Sequence, residues 1–375
     1  MYKQFKYIRE GATLIRGGTT RLDLDESGLL SALYLKIGAT CVSNATLTAD
    51  PWRLQDLLTL VEIIGNGATV IKSLEFKQAQ FIDFLRQGIV PPHWWRNYGE
   101  NTQEEHLVLL FGRYLGDPNF GLDLAHWDNV ELRITNISSA TYHADSMKFS
   151  AMAVYLRDHP GFSGGYLRSE EWRDWITTSD ETKYFILPTE FPIAGLYLRS
   201  LPETTNGVPE TGFANQMDDI DFKIFGGVKE VYKGGLDDLA ILNFIDRGAE
   251  VITGGHMYRT ADYGGDISIG RPFGGAWAAG TKDGAVAAVV PTMEADPTVN
   301  ALKPEAYEGD TTIEFIMRGI GFQNMAYLWF SQGLEPDSLL DLKTSGEGLL
   351  NIHTRSGAGY AGGTAQVVLE RLVTG

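Results

Sequence analysis

The sequence predicts an all-β protein made of two similar domains in tandem, each carrying one short helix. Three observations support this prediction. A segment of the chain recurs 160 residues later, short alternating polar and apolar runs are separated by glycine and proline, and 375 residues are enough for two domains that each bury a core. Hydrophobic residues make up 43% and charged residues 21% of the chain, as in ordinary globular proteins.

The repeat pairs residues 67–88 (GATVIKSLEFKQAQFIDFLRQG) with residues 227–248 (GVKEVYKGGLDDLAILNFIDRG). Both copies begin and end with glycine and have the same length, so residue n corresponds to residue n + 160 (227 − 67 = 160). Apolar residues at 76, 81, 82 and 85 have a spacing that predicts a helix of about three turns, with Gly88 and Gly248 as C-terminal glycines. Phe84 falls on Phe244, and we expect both rings to be buried at matching positions.

A second pattern, shared by residues 19–36 and 182–199, predicts a strand, a turn and another strand in each domain. The two copies end in nearly the same letters, LYLK at 33–36 and LYLR at 196–199, at an offset of 163 (196 − 33 = 163). Further strands are predicted at residues 106–113, 130–135, 147–156 and 364–373.

An insertion is predicted in the second domain, because the offset between the copies grows along the chain. LDL at 122–124 matches LDL at 340–342, and Ile134 matches Ile352, both at an offset of 218 (340 − 122 = 218). The second domain therefore holds about 58 extra residues (218 − 160 = 58), which we place at residues 254–310. That segment is rich in glycine and predicts a strand only at residues 285–290. A long loop on a rigid scaffold is typically a functional surface.

The domain limits follow from these matches. We predict a first domain at residues 1–160 with an N-terminal arm at 1–18, a linker at 161–179, and a second domain at 180–375 with the long loop at 254–310. The linker carries a pattern that predicts a short helix at residues 170–176.

Composition excludes several classes of protein. A net charge of −17, with Lys3, Lys6 and Arg9 as the basic cluster, disfavours binding to nucleic acid through phosphates, and we expect no sequence-specific nucleic-acid binding. The basic and aromatic start of the chain fits either contact with a membrane surface or nucleic acid, or an ordered arm on a neighbouring subunit. One cysteine, Cys41, excludes an internal disulfide, and its strand-like surroundings predict a core position.

Metal and nucleophile motifs are missing from the sequence. No two of the seven histidines are closer than 13 residues, so the HxH pair of a double cupin and the HExxH motif do not occur. His143 and Asp145 fit a polar turn better than half a metal site, and the acidic run at 218–221 lacks the glycine and spacing of a calcium loop. We predict no catalytic, cofactor-binding or metal-binding residues, and no enzyme.

Carboxylates and tryptophans leave one alternative open. Adjacent acid pairs such as Glu104-Glu105 are expected by chance among 48 acids, although two carboxylates suffice for glycoside hydrolysis. Sugar stacking is a second use of tryptophan, but packing is the commoner one, and we favour packing for Trp94, Trp95, Trp127, Trp172, Trp175, Trp277 and Trp329.

Three stretches carry a family resemblance when taken in order. TTRLDLDESGLLSALYLKIGAT at 19–40, TKYFILPTEFPIAGLYLRS at 182–200 and TAQVVLERLV at 364–373 resemble the beginnings and ends of domains in the double jelly-roll major capsid proteins of icosahedral viruses. This is the lineage of the tailless membrane-containing phages and adenovirus. The resemblance implies two tandem eight-stranded jelly rolls, each with a short helix, and a long loop inserted in the second.

The same resemblance implies a structural role in the virion after synthesis in the host cytoplasm. Members form homotrimers whose six jelly rolls make a pseudo-hexagonal tile, with loops standing as towers outside the shell. Residues 254–310 would then form the tower, and Lys3, Lys6 and Arg9 would lie near an internal membrane or minor capsid and penton proteins. The alternative is a glycan-binding or glycan-hydrolysing β-sandwich protein, which predicts an open cleft containing a carboxyl group of raised pKa.

Overall fold

The computed structural model describes most of the chain. The described residues are 1–24, 28–42, 53–93, 95–96, 100–158, 164–201, 204–205, 208–209, 216–248, 250–259, 273–282, 285–287, 311–330, 339–357 and 361–374. None of the described helices is long and apolar enough to cross a membrane.

The first part of the chain, up to residue 158, contains the following elements. They are β1 (Tyr2–Thr13), β2 (Thr19–Asp23), β3 (Leu29–Thr40), α1 (Leu54–Leu57), β4 (Leu58–Gly65), β5 (Thr69–Leu74), α2 (Phe76–Gln87), β6 (Trp95–Arg96), β7 (Thr102–Leu110), β8 (Leu122–Asp123), a 3-10 turn (Leu124–His126), β9 (Val130–Asn136) and β10 (Lys148–Arg157).

The second part, from residue 164, is longer. Its elements are β11 (Tyr166–Ile176), β12 (Thr182–Ile186), β13 (Ile193–Leu201), β14 (Thr204–Thr205), β15 (Val208–Pro209), β16 (Met217–Ile224), β17 (Lys229–Gly234), α3 (Leu236–Arg247), β18 (Val251–Arg259), β19 (Phe273–Lys282), β20 (Ala285–Ala287), β21 (Thr311–Ile320), a 3-10 turn (Phe322–Asn324), β22 (Met325–Trp329), α4 (Leu342–Ser345), β23 (Leu349–Thr354) and β24 (Thr364–Val373).

Each part forms two antiparallel layers of four main strands, and in the first part the short strand β8 also pairs with β3. The first part has the strand orders β1-β10-β3-β7 and β2-β9-β4-β5, and the second part has β11-β24-β13-β22 and β12-β23-β16-β17. In both, the first strand pairs with the last and the second with the last but one, which is the strand order of a jelly roll. The predicted all-β architecture of two tandem eight-stranded jelly rolls is therefore confirmed.

The repeat is reproduced element by element. Helix α3 and strand β17 begin and end exactly 160 residues after α2 and β5 (236 − 76 = 160; 229 − 69 = 160), β12 follows β2 by 163 (182 − 19 = 163), and β24 follows β10 by 216 (364 − 148 = 216). Gly88 and Gly248 both end their helices with positive φ, 70° and 62°, and their N–H groups donate to the carbonyls of Phe84 and Phe244. This left-handed conformation is the one that glycine adopts without a steric cost.

Three expectations at this level are wrong or incomplete. Phe84 is buried at 2% exposure, but Phe244 is 40% exposed, so the rings do not occupy equivalent environments. Residues 170–176 form part of strand β11, not a helix, and β11 pairs with β24 inside the second jelly roll, so most of the predicted linker at 161–179 is sheet. Residues 2–13 of the predicted arm at 1–18 form β1, the edge strand that pairs with β10.

The inserted segment is more regular than expected. Strands β18, β19, β20 and β21 form a sheet in the order β20-β19-β21-β18, and β6 of the first part joins it in parallel next to β18. Residues 285–287 of the predicted strand at 285–290 are strand, whereas 260–272, 283–284 and 288–310 lie outside the described residues. That this segment forms an outward tower stays a prediction.

Burial differs between the two copies of one strand. In β3, the alternation buries Leu33, Leu35 and Ile37 inside the first jelly roll and leaves Tyr34 and Lys36 half-buried outside. In β13, the equivalent strand, both faces are buried. A strand of a sandwich has one inner face, so an additional layer must cover the outer face of β13.

Candidate assembly surface

The layer that covers β13 is helix α2 of the first jelly roll. The Phe81 ring meets Tyr197 of β13 edge-on, with 6.2 Å between ring centroids, and the Phe84 ring lies 5.3 Å from Phe322. These residues belong to one apolar cluster that contains side chains of both jelly rolls. The two domains of the chain are thus joined by a packed interface between a helix and the outer face of a sheet.

Buried charges reinforce this junction. Arg86 of α2 forms an ion pair with Glu370 of β24, and the Tyr197 hydroxyl donates to Glu370 Oε2 at 2.9 Å. Burial by itself raises the pKa of Glu370, but Arg86 and Lys72 outweigh burial and hold this pKa below its ordinary value. Lys72 Nζ donates to Ser169 Oγ at 2.8 Å, and burial lowers the pKa of Lys72 to about 8. Removing one member would leave a buried charge unpaired.

A second set of hydrogen-bonded polar side chains lies beside the set around Glu370. Arg199 of β13, 1% exposed, forms an ion pair with Glu75 at the start of α2, and Gln366 Nε2 donates to Glu75 Oε1 at 2.7 Å. Gln323 Nε2 donates to Gln80 Oε1 at 2.9 Å. Because these hydrogen bonds run between the two jelly rolls, they fix the orientation of one domain against the other.

The sheets of the two domains are also continuous at the junction. Strand β5 pairs in parallel with β11, with Lys72 opposite Ser169 and Ser73 opposite Glu170. This pairing joins β2-β9-β4-β5 to β11-β24-β13-β22 as one eight-stranded sheet.

Helix α3 carries a copy of the apolar face with which α2 packs on the second jelly roll. On α3 this face is uncovered. The residues of α3 that correspond to Phe81, Ile82, Phe84 and Leu85 of α2 are Ile241, Leu242, Phe244 and Ile245, and all four are exposed, Ile245 by 71%. We call these four residues the α3 face. The opposite side of α3 is buried in its own jelly roll through Leu236, Leu239 and Ala240.

The sheet side of the junction also has an uncovered copy, in the first jelly roll. Tyr34 and Lys36 of β3 correspond to Tyr197 and Arg199 at an offset of 163, and both are half-buried. Phe5 and Tyr7 of β1 correspond to Ser169 and Glu171 of β11 (169 − 5 = 164; 171 − 7 = 164), and Phe5 is 59% exposed. We call Phe5, Tyr7, Tyr34 and Lys36 the β3 face. One chain therefore contains one complete junction and the two separated halves of another.

A small cavity at the junction contains the titrating group that the glycan-hydrolase alternative requires. It is lined by Lys72, Asp83, Arg86, Ser169 and Glu370, among others, and has room for roughly one water molecule. Burial raises the pKa of Asp83 to about 7. A space of this size holds no sugar ring.

The position of Asp83 indicates a structural role. Its Oδ2 accepts a hydrogen bond from the N–H of Val108 at 2.9 Å. In the second jelly roll the corresponding residue is Asn243, whose amide accepts from the N–H of Tyr327 at 2.7 Å and donates to the carbonyl of Tyr327 at 2.6 Å. Both side chains fasten a helix to the neighbouring strand.

Other residues singled out in the sequence have structural partners. Cys41 is buried in the core, as predicted. In the acidic run, Asp218 Oδ1 lies 2.7 Å from His353 Nδ1, and Asp221 pairs with Lys223. Among the described residues, His143 and Asp145 included, no three potential ligands converge on a metal position; His159 and the side chain of His256 lie outside them.

The tryptophans that the structure describes pack against other aromatic rings. Trp172 and Trp175 contact Phe185, with centroids 5.8 Å and 5.2 Å away, Trp127 contacts Tyr166, and Trp329 contacts Tyr327. Trp94 and the side chains of Trp95 and Trp277 lie outside the described residues.

Comparison with solved structures identifies the architecture. The chain is similar to the STIV MCP (TM-score 0.62, 8% identity, covering 100% of this chain and 98% of that one), to the major capsid protein P2 from Bacteriophage PM2 (TM-score 0.54, 9% identity, 100% and 98%) and to the PBCV-1 virus capsid (TM-score 0.55, 10% identity, 99% and 93%). No protein-family model and no curated protein matches the sequence. Over nearly its whole length, the chain has the fold of the double jelly-roll major capsid proteins.

Proposed function

We propose that this chain is the major capsid protein of an icosahedral virus, and that three copies form a ring of six jelly rolls that tiles the shell as a pseudo-hexamer. The observation that carries the proposal is the exposure of the α3 face, whose counterpart on α2 is covered by the second jelly roll of the same chain. Shared fold alone would not assign this role.

The two uncovered halves are complementary because they are copies of surfaces that already fit each other. The α3 face of one subunit would pack on the β3 face of the next, as α2 packs on β13 within the chain. Such a head-to-tail contact uses two different surfaces of each subunit and closes into a ring when its rotation permits. Three subunits with two jelly rolls each give six similar contacts between neighbouring jelly rolls. Three of these contacts join the two jelly rolls of one chain, and the other three join different subunits.

Exposed apolar side chains support a permanent partner at this position. Ile241, Leu242, Phe244 and Ile245 lie next to one another on one helix, and contiguous apolar surface of this kind marks interaction sites on soluble proteins. The net charge of −17 keeps unassembled subunits apart in solution and adds to their solubility.

The remaining parts of the proposal concern the two sides of the shell. Residues 254–310 would stand outside as a tower. Of the basic residues on edge strand β1, Lys3 and Arg9 would face the interior and contact an internal membrane or minor capsid and penton proteins, whereas Lys6, between Phe5 and Tyr7, would lie at the subunit contact. The protein would be made in the host cytoplasm, act in the virion and catalyse no reaction.

The test is the assembly state of the purified protein and of two matched variants. Light scattering of the wild type should give three times the 41.4 kDa chain mass, and negative-stain images should show hexagonal outlines. Ile245→Asp should give monomers, because a carboxylate would be buried in the contact. Ile186→Asp is the control, since Ile186 is similarly exposed (61%) but lies on β12. A wild type that stays monomeric at high concentration refutes the proposal.

A further inference from the structure

We propose that strand β17 of one subunit pairs in parallel with strand β1 of the next, so that a β-sheet runs across each subunit boundary. This inference rests on the proposed trimer and adds a specific backbone contact to it. The partner is a second copy of this chain, and the register of the pairing follows from the repeat.

The pairing has a model within the chain. Strands β5 and β11 join the two jelly rolls through Lys72 opposite Ser169 and Ser73 opposite Glu170. The counterpart of β5 is β17, at an offset of 160, and the counterpart of β11 is β1, at an offset of 164. If subunits repeat the internal junction, Tyr232 faces Phe5 of the next subunit, and Lys233 faces its Lys6.

Both strands have an available edge. Among the described strands, β17 is the last in the sheet β12-β23-β16-β17, and β1 is the last in the sheet β1-β10-β3-β7. An edge strand presents backbone N–H and C=O groups without ladder partners, and proteins usually cover or protect such edges. Mutual pairing would satisfy both edges at once, as in β-strand addition.

The side chains on one face of the predicted pairing favour it. Inside the chain, the Lys72–Ser169 position is buried and polar; between subunits, the same position brings together Tyr232 and Phe5. Opposed aromatic residues on neighbouring strands attract each other and remove apolar surface from water. The Tyr232 hydroxyl already donates to the carbonyl of Gly235 at 2.7 Å, so its polar group needs no water when the ring is covered.

The opposite face brings two cations together, and a nearby carboxylate reduces their repulsion. Lys233 and Lys6 would lie across from each other, which is unfavourable for like charges. Asp221, which pairs with Lys223, lies directly opposite Lys233 on the neighbouring strand β16, so the register places a carboxylate on the same face as the two cations. The aromatic face and the backbone hydrogen bonds therefore outweigh the residual repulsion.

Disulfide trapping tests the register. The double variant Phe5→Cys/Tyr232→Cys places two cysteines on adjacent strands. Their Cα atoms would be about 5 Å apart, within the Cα–Cα range of a disulfide. Oxidation of the trimer should convert most chains to covalent dimers and trimers on a non-reducing gel, reversed by dithiothreitol. The control Phe5→Cys/Val228→Cys moves one thiol four residues away, off the strand and into the turn before β17, and should stay uncross-linked. Cys41 is buried, so the wild type should not cross-link either.

The outcomes separate this inference from the proposed function. Trimers without a Phe5–Tyr232 cross-link, or with equal cross-linking in the control, overturn the strand pairing and leave the trimer intact. A wild type without trimers overturns both. If the cysteine variants fail to fold, hydrogen exchange decides by comparing the wild-type trimer with the Ile245→Asp monomer: the amides of Lys229–Gly234 that are not bonded to β16 should exchange at least tenfold more slowly in the trimer. Equal exchange rates in the two proteins would again overturn the pairing.

Discussion

Replacing Phe84 and Phe244 by alanine, one at a time, tests whether the two copies of the helix face differ only in what covers them. Phe84 is 2% exposed and packs on Phe322, whereas Phe244 is 40% exposed. In a monomer, Phe84→Ala should be the damaging change. In the trimer, Phe244→Ala should be damaging as well, because the next subunit would cover that ring.

The expected magnitudes follow from burial. Loss of a fully buried phenylalanine costs about 3–5 kcal/mol of unfolding free energy, through lost burial and the cavity left behind. A ring that is already 40% exposed loses only part of this, about 1–2 kcal/mol. The difference of about 2 kcal/mol corresponds to roughly 4–8 °C in Tm for a domain of this size. For assembly, loss of a central aromatic anchor should weaken subunit association tenfold or more.

Thermal unfolding in the Ile245→Asp background measures the loss of stability within one chain, because that background should be monomeric. Light scattering over a dilution series, without the Ile245→Asp change, measures the weakening of subunit association. The reasoning is refuted if both alanine variants lose the same stability as monomers, or if Phe244→Ala leaves trimer dissociation unchanged. Phe84→Ala should leave the association of correctly folded chains close to that of the wild type, since Phe84 lies inside the chain's own junction.

Three further predictions concern titratable groups, each measured by chemical unfolding across a pH series. Because burial raises the folded-state pKa of Asp83 to about 7, the free energy of unfolding should fall as pH rises from about 4 to 7. Asp83→Asn should remove this pH dependence and stabilise the protein by ~2–4 kcal/mol at pH 8. An unchanged pH dependence in the variant contradicts this prediction. The hydrogen bond that His353 donates to Asp218 raises the pKa of His353, with a smaller effect from Asp180. The stability that this histidine contributes should therefore be complete below pH ~6.5 and disappear as pH rises through the raised value, and Asp218→Asn should remove most of that pH dependence. Glu370→Leu should cost about 3–5 kcal/mol by stranding the Arg86 charge, and adding Arg86→Met should recover most of it; a double variant as unstable as the single one contradicts the pairing.

The repeat made the fold predictable, because the same periodicities occur twice and check each other. The helix over Phe76–Gln87 and the strand over Thr364–Val373 were identified within two residues. Strand β11 was missed because polar residues occupy both of its faces. Ser169 and Glu171 lie on the face that forms the junction, and Glu170 lies opposite the core residue Leu369. This arrangement removes the alternation on which strand prediction depends.

The assembly surface was predictable only in part. Periodicity identified an apolar face on each helix, but it contains no information on whether the same chain or another one covers that face. Phe244 was therefore expected to be buried within its own subunit. Only the three-dimensional position of β13 over α2, formed by residues more than 100 positions apart, distinguishes the two cases.

The differences between the copies fit a division between a permanent junction and one that forms by association. Arg86 and Glu370 at the internal junction correspond to Asp246 and Val154 at the proposed subunit contact, and Lys72 and Ser169 correspond to Tyr232 and Phe5. Within the chain, the two surfaces are held together covalently, so the junction tolerates buried ion pairs that contribute orientation more than net stability. Between subunits, the contact must overcome the loss of translational and rotational freedom, which apolar and aromatic burial can supply. The loss of the two buried pairs, with Tyr232, Phe5 and Val154 in place of Lys72, Ser169 and Glu370, is therefore expected at a contact between molecules, although Asp246 keeps a charge there.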